Sequence, residues 1–369
     1  MKTKKHIMLI LLSISLHISA QENSTWYAFF SKEGYKIGFK NVDKKIMIIP
    51  KFMGFTSAKK FNNIIGVMEE SNHTISSYYL LKNGNKVGKD SLYVWDMAFD
   101  CESEGMIRFR NTKTDKVGFF NTEGKVVIPA IYTEALPFRN GIAVVYNGEK
   151  ICDDGTQYDK NKPCEHWYLS TNKNTLLIDK KNKVLIKNFK YNNAIDFYSM
   201  RKNKTTELPY RSTQNGMNNN YYSFTNYKKE FLWWLKNIAN HIKETQYNSK
   251  DTFIVQRLIH KSISEIYFSN MKQGTRETNK IKANKFIEGN LEYLTKTLLD
   301  IQKENIDFFI SIRDLDSEIW NEPSYDKYFD DCGNALVTKY PVLSIVINQK
   351  HGEDSYQDFL SFLKTEEGF

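Results

Sequence analysis

The chain has 369 residues, of which 41% are hydrophobic, 26% charged and 14% aromatic, and its formal net charge is +9. That is too long for one ordinary core and too apolar for a disordered chain, so two globular domains are expected. Lys2, Lys4 and Lys5 supply three of the excess charges, and between Lys187 and Lys228 seven Lys or Arg stand against two acids. The basic excess is therefore local, not a broad phosphate-tracking face, and no nucleic-acid partner is expected.

Residues 1–20 read as a secretory signal. A lysine-rich start precedes a mostly apolar run from Ile7 to Leu16, and Ile18-Ser19-Ala20 offers a cleavage point before Gln21. Ser13, Ser15 and His17 interrupt the run, which is too short for the roughly 20 apolar residues of a membrane span. No Cys stands at the cleavage point, so no lipid anchor is expected there, and no later segment approaches spanning length. The mature chain is expected to be periplasmic or secreted, without a transmembrane segment.

Residues 21–200 read as a β-repeat domain. At an offset of 40, segments beginning at Tyr35, Ile75 and Asp115 align, and Lys44, Gly84 and Gly124 fall in register. Short alternating or apolar runs flank each of these positions, as in Lys36-Ile37-Gly38-Phe39 and Ile46-Met47-Ile48-Ile49-Pro50, which is hairpin patterning. Phe61, Phe99 and Phe138 then precede Gly66, Gly105 and Gly141, each followed by a further apolar run. A unit of this size cannot bury its apolar face alone, so neighbours are expected to complete one another's cores in a propeller- or solenoid-like array.

The unit Asp115–Lys150 reads DKVGFFNTEGKVVIPAIYTEALPFRNGIAVVYNGEK. It resembles a WG repeat: Gly-Phe strand, acid-Gly-Lys turn, Val-Ile-Pro strand, Tyr, and a Phe-x-x-Gly-x-Ala-Val closing strand. Gly38-Phe39, Ile49-Pro50, Phe52 and Phe61 make the first unit a degenerate copy, and the middle unit is more degraded. Ile37 and Val117 stand where the family has its namesake Trp. A fourth unit is expected from His166-Trp167-Tyr168 through Ile186, with the loop from Cys152 to Cys164 as an insertion. The resemblance implies binding more than defined chemistry.

Cys152 and Cys164 lie in a polar, turn-rich stretch, and in an exported protein a local disulfide between them is preferred over a metal site, because His166 is the only nearby His. Cys101 and Cys332 read as separate small buried residues. Residues 201–225 turn polar and read as a linker. Residues 226–369 read as an α-helical bundle domain, so the expected class is α+β multidomain. Phe231, Leu235, Ile238 and Ile242 give the first helix; Ile254, Leu258 and Ile266 the second; Ile287, Leu291, Leu294, Leu298 and Ile301 the third. Phe308, Ile312 and Leu315 extend the last helix or begin another, and Tyr356, Phe359, Leu360 and Leu363 suggest a short terminal one. Val342–Ile347 is too short to classify, and of Trp233-Trp234 only one ring can face inward.

No phosphate loop, Gly-x-Ser-x-Gly elbow or His-Glu-x-x-His pair occurs in the sequence. His73, His166, His241, His260 and His351 stand apart, and the acid pairs Asp330-Asp331, Asp314 with Asp316, and Glu102 with Glu104 read as solvated turns, as does Asp153-Asp154-Gly155. No catalytic, cofactor or metal residue is assigned and no cofactor is expected. The aromatic residues of the repeat half, among them Trp26, Tyr78, Trp95, Trp167 and Tyr168, fit a surface that holds a protein, peptide or envelope glycan. The expected function is non-enzymatic binding or scaffolding outside the cytoplasm. The alternative is an envelope hydrolase with its site in the helical domain.

Overall fold

The computed structural model describes residues 25–170, 174–204, 207–244, 265–272, 275–303, 306–317, 323–351 and 354–369. The signal segment, Ile254, Leu258 and His260 lie outside them. Among the described residues the chain is mostly antiparallel β-structure in small sheets, none of them a closed barrel. It divides into two compact units: Met1–Val184 with Asp330–Gly333, and Leu185–Phe329 with Asn334–Phe369.

One hairpin recurs through the first unit. Its A strand is Lys36–Lys40, Thr74–Leu81, Lys116–Asn121 and then Thr175–Asp179. The B strand that follows is Ile46–Met53, Lys86–Val87 and Val126–Tyr132; the fourth, Val184–Lys187, begins at the last residue of the unit. The connecting turn keeps one geometry. Residue 41, 81, 121 or 179 donates its N–H to the carbonyl four positions on and accepts the N–H three positions on. The three-on residues, Lys44, Gly84, Gly124 and Asn182, have φ of 63°, 88°, 71° and 61°, the left-handed conformation that Gly and Asn tolerate best. Asn41, Asn121 and Asp179 reinforce the turn, each side-chain Oδ1 accepting two backbone N–H groups. The fourth copy thus starts at Thr175, not at His166-Trp167-Tyr168, which belongs to the insertion.

Each copy lends its last strand to the next. The C strands Ile64–Ser71, Met106–Asn111 and Ile142–Tyr146 pair antiparallel with the following A strands, as in Ile64↔Leu81, Met106↔Asn121 and Ile142↔Asp179. Trp26–Phe30 serves the first A strand in the same way. One segment therefore cannot close its own sheet, which ties the copies into a single cooperative body. Phe61, Phe99 and Phe138 plug the sheets: Phe61 packs with Ile37, Phe39 and Phe52, and Phe138 with Val117, Phe119 and Tyr132. Each such fully buried ring stabilises by roughly 2–3 kcal/mol.

The Gly-Phe and Ile-Pro signatures turn out to be two sides of one contact. Opposite Gly118 the B strand bulges, Phe119 pairing with Ile128 but Val117 with Tyr132. A Cβ at Gly118 would lie 2.6 Å from the Ile128 carbonyl oxygen and 2.7 Å from the Ala130 nitrogen, and at Gly38 the same distances from Ile48 O and Pro50 N. Only glycine admits so close a backbone, and the bulge is where a proline's missing N–H costs no ladder bond.

Cys152 and Cys164 form a disulfide, with Cα atoms 6.0 Å apart. Cys101 and Cys332, read from the sequence as separate buried residues, are bonded to each other across 231 positions. The segment Asp330–Gly333 that carries Cys332 also accepts the Lys59 and Lys60 N–H groups on the Asp331 carbonyl and the Asn62 amide on the Asp331 carboxylate, at 2.8, 2.9 and 2.7 Å. No spacing rule joins positions this far apart, so only the fold reveals the pair.

The second unit corrects the expected helical bundle. Helices Tyr227–Glu244 and Ala283–Asp300 form where the 3.6-residue spacing put them. The other described residues of 226–369 are largely strand. Glu265–Lys272 pairs with Thr275–Lys282, so Ile266 lies in a hairpin. Phe308–Arg313, Val342–His351 and Asp354–Leu363 make a three-stranded antiparallel sheet in place of the expected last helices. Phe231, Leu235 and Ile238 pack with Leu298, Ile310, Leu343 and Ile345, so the two helices share one core with that sheet. Trp234 joins this core against Phe231 and Phe362, while Trp233 is half exposed beside Tyr210. The stretch expected as a linker also folds: Arg211–Asn215 and Tyr221–Asn226 pair, with Ile195–Arg201 on the other edge of Tyr221–Asn226. An α-helical domain, on which the hydrolase alternative depended, is not formed.

Candidate functional site

Three segments converge at the third repeat of the first unit. The first is a tight hairpin, Val94–Trp95 with Ala98–Phe99, whose turn residues Asp96 and Met97 both have positive φ, 46° and 63°. That is the hairpin-favouring turn, but held by a methionine, for which left-handed backbone costs about 1 kcal/mol or more. It lifts Trp95 to 61% exposure and Met97 to 70%. The second is the pairing of Met106–Asn111 with Lys116–Asn121, which supplies Arg108, Arg110 and Asp115. The third is the insertion after Tyr146. Its strands Lys150–Cys152 and Trp167–Leu169 pair, and the Cys152–Cys164 bond staples the loop between them.

The floor is a closed set of charges. Arg110 donates to Glu134 at 2.6 Å and to Asp115 at 3.2 Å, and Lys150 donates to Asp115 at 2.6 Å. Tyr93 donates to Glu134 at 2.7 Å and lies under both Arg108 and Arg110. Behind it the buried Arg108 holds Asp100 and the Ala135 carbonyl. Burial lowers the ordinary pKa of the Lys150 ammonium against the pull of Asp115. It acts downward on Arg110 too, where Glu134 and Asp115 outweigh it and hold the guanidinium charged.

Aromatic rings stand around the Lys150 ammonium. Nζ is 4.5 Å from the Trp167 ring centroid and 4.7 Å from that of Tyr158. Trp95 meets Trp167 edge-on at 6.5 Å, and Tyr158 meets it at 6.2 Å. Between Trp95, Trp167 and Tyr158 a cavity of about 540 Å³ opens, rimmed by Asp96, Glu165 and His166. A second, of about 570 Å³, shares Asp115, Lys150 and Tyr158 and is otherwise lined by groups such as Thr114, Asn147, Gln157 and Asn161.

Residues singled out for possible chemistry are scattered and mostly occupied structurally. The Asp331 carboxylate holds Asn62, and Asp330 caps the Cys332 N–H. Glu102 accepts from Asn63 and Ile64, and Glu104 from the Asn140 and Gly141 N–H groups. Asp154 closes a turn on Thr156, Asp314 is exposed, and His73 sits in a two-residue turn. His241 lies on the first helix of the second unit, and His351 ends a strand. Among the described residues no three His, Cys, Asp or Glu are grouped to hold a metal ion. Among the described histidines, only His166 lines the cleft. The sequence reading named Trp95 and Trp167 but gave no role to Tyr158 and Lys150, whose one signal is the aromatic and charged content of the insertion, or to Arg110 and Asp115, which sit on the preceding hairpin and carry no such signal.

Antiparallel hairpins that exchange closing strands define a β-repeat protein. Residues 118–150 match the family model of the WG containing repeat, and the chain carries a WG-type β repeat there. No curated protein and no solved structure matches the chain. The matched segment ends at Lys150, so Tyr158 and Trp167 come from residues that this chain adds beyond the repeat.

Proposed function

We propose that the protein is an exported, non-enzymatic binding protein of the cell envelope or exterior, and that its ligand occupies the cleft between the Trp95 hairpin and the stapled insertion. The observation that carries the reading is Trp95, a large apolar ring 61% exposed at the foot of a two-residue turn of unfavourable backbone, beside two further rings and a charged floor. Exposed indoles on rigid supports are how binding surfaces gain contact area at low entropy cost. The signal-like residues 1–20 and the two disulfides favour an oxidising compartment.

Retention of the purified mature protein on immobilised envelope glycan and envelope peptides tests this. Trp95→Ala is expected to lose at least about tenfold in affinity, or roughly 1.4 kcal/mol, with an unchanged melting temperature because the ring supports no core. Unaltered retention by the variant overturns the cleft as the site.

A further inference from the structure

We infer that the cleft takes an uncharged oligosaccharide, spanning both cavities; this rests on the binding reading above. The floor makes a poor anion site, since Arg110 is satisfied by Glu134 and Asp115, and Lys150 by Asp115. It makes an equally poor cation cage, because the space enclosed by Trp167 and Tyr158 already holds the chain's own ammonium, 4.5 and 4.7 Å from their centroids. What remains free is the open ring of Trp95 and the polar groups of the rims.

Those groups suit a sugar. A pyranose has an apolar face of C–H groups that lies flat on an indole, and a girdle of hydroxyls that both donate and accept. Beyond the shared wall, Asn147, Gln157 and Asn161 present exposed carboxamides, each able to donate and accept with one hydroxyl pair. On the ring side Asp96 and Glu165 offer carboxylates as acceptors. Each cavity falls within the roughly 300–1,000 Å³ range of small-ligand sites, and Asp115, Lys150 and Tyr158 form a wall common to both. One chain of linked sugars crossing that wall places a ring on Trp95 and a further unit among the carboxamides.

The test is tryptophan fluorescence titration of the full mature chain with four probes: the tetramers of β-1,4-N-acetylglucosamine, β-1,4-glucose and α-1,4-glucose, and a wall-type stem peptide. Expected is saturable binding of at least one tetrasaccharide, about tenfold tighter than its monosaccharide. It should fall at least about tenfold in Trp95→Ala and severalfold in Gln157→Ala, and stay constant up to about 0.5 M salt, where exposed charge pairs are screened. Gln157 is an exposed side chain, so loss of folding does not confuse that variant. Peptide binding through Trp95 without any tetrasaccharide binding overturns the sugar assignment and leaves the binding reading standing. A steep fall with salt also overturns it, since the ligand is then charged. Failure of every probe to engage Trp95 overturns both.

Discussion

In the first and third repeats a glycine, Gly38 or Gly118, faces a bulged strand carrying Pro50 or Pro129. The second and fourth repeats share the turn but hold Tyr78 and Leu176 at the glycine position, and neither following strand, Lys86–Val87 or Val184–Lys187, carries a proline. In the second, the B strand shrinks to Lys86–Val87 and pairs in plain register, Tyr79 with Val87 and Leu80 with Lys86. Glycine and proline are therefore one device, kept or lost together. Where the bulge crosses, only Gly fits; where it is absent, a full side chain returns to the strand.

The sharpest way to break this contrast is Gly118→Ala. Its methyl group would meet backbone atoms at 2.6 and 2.7 Å and the Phe109 ring at 2.8 Å, and backbone cannot swing aside as a side-chain tip does. A loss of about 3 kcal/mol is expected, at the upper end of overpacking costs. Gly54→Ala is the control: nothing lies within 4 Å of its added Cβ, so a change of about 0.5 kcal/mol or less is expected in urea denaturation. Equal losses at the two sites would show that the bulge contact does not set the glycine.

Much of this front half was legible because turns are local. Lys44, Gly84 and Gly124 fell in register by a plain offset of 40, and each has the positive φ that makes the position selective. The fourth copy's start was hidden by the insertion, which moves its turn from the expected spacing to Asp179–Lys183. The second unit misled because short windows fit two periods at once. In Phe308-Phe309-Ile310-Ser311-Ile312, residues 308 and 312 are four apart as on a helix, yet Phe308, Ile310 and Ile312 face the core by alternation. The supposed linker is polar because its strands earn their place by backbone pairing: Arg211 holds the Ser199 and Ser223 carbonyls across the sheet. Of the cleft, the rings were visible and the charged floor was not. Arg110, Asp115, Glu134 and Lys150 are brought together only by strand exchange between repeats.

A smaller effect separates the repeats at the turn itself. Asn121 Oδ1 accepts the Glu123 and Lys125 N–H groups at 3.0 and 2.9 Å, as Asn41 and Asp179 do in their own turns, whereas the second repeat has the buried Leu81 there. Asn121→Ala is expected to cost about 1 kcal/mol, the usual worth of such side-chain caps. Leu81→Ala should cost more, roughly 2–5 kcal/mol, through a cavity instead of a lost hydrogen bond. If the asparagine variant proves the more damaging, the second turn does not rely on packing as described.

The smallest expected effect concerns what fills the second repeat where the bulge is missing. Lys86 reaches over the Tyr78 ring at 4.1 Å and bonds Glu69 at 2.7 Å, with Lys51 on the other Glu69 oxygen at 3.0 Å. Burial acts to raise the Glu69 pKa, but hydrogen bonds from the two lysines outweigh it and bring the carboxyl down to about 2. A carboxyl depressed by folding adds stability above its unfolded value, near 4.5, and loses it as pH falls through that value toward about 2. Both lysines are over 40% exposed, so solvent screening holds the contribution to about 1 kcal/mol or less. Wild type and Glu69→Gln should therefore differ in urea stability at pH 6, with the gap narrowing steadily below about pH 4.5 and closing only as the pH falls past about 2. A gap at about pH 2.5 as wide as at pH 6 would mean that packing of the side chain, and not its charge, closes the second repeat.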